Sequence, residues 1–213
     1  MFHANDLAAL AFNATAFAAY RLLQRRRARY DPSATLQSRQ ATMRAEWVAE
    51  VLRTGNGVLG VQTLRNALMG SIFFASNTMF LVIGTLGLTA QGHLAESWRS
   101  LDPASGLTPS ASPSLALAKL LLLLLTLLVA FFCFVNAIRL FGHASIGIGV
   151  KSADAEGVTA QIDSAWGYQG LGVRCYYFAV PVLFWLFGPM WFVLAGIGAL
   201  VLMTRLDTVP VRA

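Results

Sequence analysis

Residues 115–141 read LALAKLLLLLLTLLVAFFCFVNAIRLF, and Lys119 and Arg139 are their only charges. At ~1.5 Å of rise per residue, a helix of this length covers about 40 Å, more than the ~30 Å hydrocarbon layer of a bilayer. The Leu120–Leu125 run offers no polar face to water. A helix that is apolar all round is buried in protein or lipid, so this stretch reads as a membrane span.

The surrounding chain fits that reading. Of its 213 residues 56% are hydrophobic and 12% charged, with mean hydropathy +0.60. Soluble domains carry about 25% charged residues. Three further apolar blocks run over about 4–23, 67–89 and 176–203. The first is Ala-rich and contains Asn13 and Thr15. A cleaved signal peptide would need basic residues before its apolar core. Here Arg21, Arg25, Arg26, Arg27 and Arg29 follow it instead. In the last block Pro181, Gly188 and Pro189 predict a bend, which a membrane helix tolerates.

The segment 24–62 opens with an Asp31-Pro32-Ser33 turn. From Ser38 to Thr54, Met43, Trp47 and Val51 recur every fourth residue beside Val48 and Leu52, with charges on other faces. That spacing predicts an amphipathic helix, ended by Gly55-Asn56-Gly57. In segment 142–175, Val158, Ile162 and Trp166 predict a second short amphipathic helix. The expected fold is therefore all-α: one transmembrane domain over 1–213, a bundle of about four helices with two short cytoplasmic amphipathic helices.

Orientation follows from Lys/Arg asymmetry between short loops. Nine of the sixteen basic residues lie between Arg21 and Arg65, three between Arg139 and Arg174, and only Arg99 in the loop at 92–114. With four spans, 24–62 and 142–175 are cytoplasmic and both termini periplasmic, in a bacterial inner membrane. Lys119 is then expected to snorkel to the outer interface. The positive charge is explained by the cytoplasmic side and by anionic lipid, without nucleic acid.

Ionisable groups at membrane depth are site candidates because they are costly. Arg65, Arg139 and His143 are candidates for binding a headgroup or other anion, since Arg offers a fixed fork of donors. The plainer reading of the two arginines is interface anchoring. Asp6, Asn66, Asn77 and Asn136 are candidates for a polar path or for interhelical contacts. Asp6 has a plainer reading as a solvated helix end, and the asparagines as packing bonds of ~1 kcal/mol. Ala67, Ser71 and Ala75 form a small-residue stripe suited to close helix contact. His3 and His93 fall on one side of the expected topology without enough partners for a metal. Cys133 and Cys175 read as apolar packing thiols. Gly147-Ile148-Gly149 lacks the Lys and context of a phosphate loop. No catalytic motif, metal set or cofactor site is expected.

Two stretches carry a resemblance. Trp47 leads through Val61-Gln62-Thr63-Leu64-Arg65-Asn66 and Met69 into the second block. Arg174-Cys175-Tyr176-Tyr177-Phe178 is followed by Pro181, Trp185 and Phe187-Gly188-Pro189. Together they resemble a family of bacterial and plant membrane proteins catalogued as domain of unknown function 599, over roughly residues 4–205. The V-Q-T-L-R-N run is the most specific part. The resemblance implies a multi-spanning membrane protein and transfers no catalytic residue.

Three functions from different classes fit. The first is a non-enzymatic packing or scaffold subunit, with membrane lipids, other membrane subunits or further copies of itself as partners. The second is a small oligomeric channel or transporter. The third is an enzyme acting on lipid headgroups through Arg65, Arg139 and His143. The scarcity of charge in the apolar blocks favours the first.

Overall fold

The long leucine run lies in a helix packed against two long neighbours, with Leu121 and Leu125 left exposed. The structure, a computed structural model, describes residues 4–30, 36–90, 113–150 and 153–207. Every regular element among them is a helix: α1 (Ala4–Tyr30), α2 (Leu36–Thr54), α3 (Gly57–Ala90), α4 (Pro113–Ile148), α5 (Ala155–Phe184) and α6 (Pro189–Asp207), with a 3-10 turn at Trp185–Phe187. Three helices, Gly57–Ala90, Ser114–Ile148 and Ala155–Phe187, are long and apolar enough to cross a membrane. Pro189–Arg205 is a shorter apolar helix.

Helix α4 packs most extensively against α5 and α3. Its buried stripe of Leu127, Ala130, Phe134, Ala137, Phe141, Ala144 and Ile148 repeats every three or four residues, the spacing of one helix face. α3 answers with Leu64, Ser71, Ala75, Thr78, Val82 and Thr85. These are mostly small, which lets the helices approach closely. The pairs are antiparallel. Phe74 stacks on Phe134 at 5.3 Å, while Gly60 sits against Ile148 at the other end. Likewise Phe141 meets Trp166 edge-on at 5.5 Å, and Phe134 lies against Gly172. The outer faces stay oily: Phe80 is 72% exposed, Phe132 60% and Leu125 59%. In water such contiguous apolar surface would drive association.

At one end α2 closes the base. Val48 and Val51 enter a core with Phe141, Ile148, Val158 and Ile162, and Arg44 pairs with Asp163 at 2.7 Å. A helix is thus present over 38–54, packed through Trp47, Val48, Val51 and Leu52, while Met43 stays 67% exposed. The second short helix differs. Val158, Ile162 and Trp166 belong to the first turns of the 30-residue α5. Asp154 caps that helix by accepting the backbone N–H groups of Glu156 and Gly157 at 3.1 and 3.0 Å. Nothing breaks the helical pattern after it, so the amphipathic turns run on into the apolar ones.

The block at 176–203 also differs, and the consequence is larger. It is two helices, not one bent one. Gly188 sits at φ 140°, ψ 164°, a conformation closed to residues with a side chain. Pro189 then starts α6, where a missing N–H costs nothing. Tyr177 and Leu202 line one groove, as do Phe184 and Trp191, so α6 folds back antiparallel to α5. α1 lies along the hairpin: Phe17 contacts Phe178 edge-on at 5.4 Å, and Asn13 donates to the Phe192 carbonyl at 3.3 Å. Gly196 is required there, because a methyl group at its position would run into the Asn13 side chain. α1 and α6 therefore run in the same direction, and Ala4 and Asp207 lie at opposite ends of the bundle. Two chain ends on one side would need a single helix over 176–203. Of the expected loop at 92–114, only Pro113 and Ser114 are among the described residues, in the first turn of α4; His3, His93 and Arg99 fall outside them.

Candidate functional site: a buried charge pair at the hairpin turn

Among the described residues, the fully buried charges lie at the hairpin turn. Lys119 lies in the second turn of α4, Asp6 in the first turn of α1, and Trp185 opens the 3-10 turn after α5. Lys119 Nζ is 3.1 Å from Asp6 Oδ1, with side chains only 1% and 6% exposed. The Trp185 indole N–H donates to the same Asp6 oxygen at 2.7 Å, and Lys119 donates to the Trp185 carbonyl at 3.1 Å. Lys119 Nζ also sits 5.0 Å from the centre of the Trp185 ring. The ring is held from behind by Phe192, stacked at 4.7 Å.

Helix ends explain why these residue types are tolerated here. Asp6 sits at an α-helix N-terminus, where the dipole favours negative charge. Lys119 faces the carbonyl end of α5, where it favours positive charge. A lone ion in this setting would cost several kcal/mol of lost hydration. The pair, its extra hydrogen bonds and the ring face offset that cost. Chemically the cluster is a closed clamp, since Asp6 Oδ1 and Lys119 Nζ each have two partners within it.

Further down the bundle, other polar groups bond between α3 and α5. Ser71 donates to Gln169 Oε1 at 3.3 Å. Thr78 meets the Tyr176 hydroxyl, which also donates to the Phe74 carbonyl at 3.0 Å. Thr85 bonds within its own helix, to the Leu81 carbonyl.

Apart from Asp6, the residues singled out from sequence lie outside the clamp. Asp6 is at the core of the clamp, neither solvated nor at an open mouth, and Lys119 points into it without snorkelling outward. Asn136 is half-buried and donates to the Phe132 carbonyl of its own helix. Asn77 is half-buried on the flank of α3, and Asn66 is exposed. Arg65, Arg139 and His143 are exposed. Among the described residues no hydrogen bond or ion pair joins those three. Arg139 and His143 lie on the side of α4 away from its buried stripe, being two residues from Ala137 and Phe141. Trp185 and Asn13 were not singled out. The available signal was that a Trp beside a Gly-Pro break, a Lys in a leucine run and an Asp in an apolar helix each need a partner.

Removing one member of a buried pair leaves the other stranded, at about 3–5 kcal/mol. Thermal unfolding in detergent should therefore show large losses for Asp6→Asn and for Lys119→Met. The double variant should lose clearly less than the sum of the two. Single variants that melt with the wild type would remove the clamp from the account.

No curated protein and no solved structure matches the chain. A family model described as "Protein of unknown function, DUF599" matches residues 8–211. That span runs from the first turns of α1 past the end of α6, so the α1–hairpin contact and most of the clamp lie within it. The chain belongs to the DUF599 family.

Proposed function

We propose that this protein is a non-enzymatic packing or scaffold subunit of a membrane assembly. One observation carries the reading: several polar side chains within the apolar helices bond from one helix to another. Ser71 with Gln169, Thr78 with Tyr176, and Lys119 with Asp6 and Trp185 all join neighbouring elements. Those groups serve adhesion between helices. The oily outer faces of α3 and α4 are left for lipid, for other membrane subunits or for another copy of the chain. The headgroup-enzyme reading has less support, because among the described residues no hydrogen bond or ion pair joins Arg65, Arg139 and His143.

In this reading α3, α4 and α5 cross the bacterial inner membrane, and α1 and α6 cross beside them, five passes in place of four. The Arg-rich end of α1 and the α2 base face the cytoplasm by the positive-inside rule. The N-terminal end of α1 is then periplasmic. The C-terminal end of α6 is cytoplasmic, because of the hairpin.

A transport reading draws on one observation, the Lys119–Asp6 pair inside the bundle, since intramembrane ion pairs mark many proton and ion routes. The closure of that pair under Trp185 argues for the structural role.

Single-cysteine labelling in intact cells tests the orientation. Ala90→Cys should react with an impermeant maleimide and Glu46→Cys only after lysis. Equal reactivity of both sites would overturn the arrangement. Native mass spectrometry after gentle detergent extraction tests the role. It should return the chain bound to a second polypeptide or to further copies of itself. A monomer that carries ion flux in liposomes would contradict the scaffold reading.

A further inference from the structure

Between α5 and α6 runs an apolar groove of about 400 Å³. Tyr177, Val180 and Phe184 form one wall, and Trp191, Leu194 and Leu202 the other. Gly198 is among its lining residues, and a methyl group added there would meet no protein atom. From Trp191 to Leu202 the groove spans about 16 Å of helix at ~1.5 Å per residue. That is about half of the ~30 Å hydrocarbon core, measured from the hairpin turn.

The end of the groove away from the hairpin turn is basic. Tyr177 and Leu202 mark that end, and three residues beyond each come Arg174 on α5 and Arg205 on α6. The third helix adds another cation at the same level. Phe17 contacts Phe178, and one turn further along α1 and one turn back along α5 stand Arg21 and Arg174. Among the described residues no carboxylate pairs with Arg21, Arg174 or Arg205. An oily channel with arginines placed just beyond one end matches a molecule with an apolar tail and an anionic head.

We propose that the α5–α6 groove binds one anionic glycerophospholipid, with an acyl chain between the helices and its phosphate on Arg174 and Arg205. The proposal rests on the membrane reading above, in which these arginines lie toward the cytoplasmic side of the hairpin. Guanidinium holds phosphate by paired N–H bonds, and the tail supplies apolar area that a free anion lacks. The site is separate from the Lys119–Asp6 clamp, which lies at the other end of the hairpin, and from Arg65, Arg139 and His143.

The test is native mass spectrometry of the purified full chain in detergent with equimolar phosphatidylglycerol and phosphatidylcholine. The wild type should retain one phosphatidylglycerol at least about fivefold over phosphatidylcholine. Arg174→Gln with Arg205→Gln should bring that preference below about twofold. Gly198→Leu should remove the retained lipid by filling the groove, while its melting temperature stays at or above that of the wild type. Millimolar inorganic phosphate should not displace the lipid; displacement would reduce the site to a simple anion site and overturn the proposal. Equal retention of the two lipids, or a preference untouched by all three substitutions, would overturn it as well. Those failures occur in a protein that still needs detergent. Failure of the membrane reading itself would show earlier, as a chain that stays folded and monodisperse without any.

Discussion

Charge does not enter an oily bundle alone. Lys119 lies seven residues into a helix whose next six positions are all leucine, and Asp6 opens a helix rich in alanine. Each can be buried only if the other is there, together with donors and acceptors for the rest of their valences. Trp185 supplies both: its indole N–H serves Asp6 and its carbonyl accepts from Lys119. Three distant parts of the chain are thereby fixed to one point: the start of α1, the start of α4 and the turn of the α5–α6 hairpin. The direction of α6 and the seat of α1 in contact with it follow from that turn, and with them the side on which the chain leaves the bundle.

The remaining packing uses little that depends on water. Between helices in lipid, apolar burial supplies no net drive, because the tails are as apolar as leucine. Close fit and hydrogen bonds must do the holding. Hence the small stripe of α3 against Phe134 and its neighbours, the Ser71–Gln169 bond, and the Tyr176 hydroxyl reaching α3. The α2 base is the exception. There Val48 and Val51 join a core, and the Arg44–Asp163 pair lies at its half-exposed edge, as in a soluble domain.

How much of this was legible in the sequence depended on the range of the interaction. Apolar length identifies α3 and α4 without help from tertiary contacts. The recurrence of Met43, Trp47 and Val51 locates α2, and that of Val158, Ile162 and Trp166 locates the start of α5. The hairpin was not legible, because a Pro or Gly inside an apolar run serves equally a kinked span and a tight turn. What decides between them is long-range: Asn13 fitted against Gly196, and Phe192 stacked on Trp185. The clamp was not legible for the same reason. Asp6 and Lys119 are more than a hundred positions apart, and each alone has a harmless reading at a helix end.

The hairpin is where the account is most exposed, since the clamp, the proposed topology and the lipid groove all require it. Val180 and Val201 stand on its two arms, and both are exposed. Spin labels at these positions, read by pulsed dipolar spectroscopy in nanodiscs, should give a distance below about 20 Å, as expected for helices in contact at 8–10 Å. A single helix over the same residues would separate them by about 30 Å. That longer distance would contradict the fold-back, and the buried pair with it.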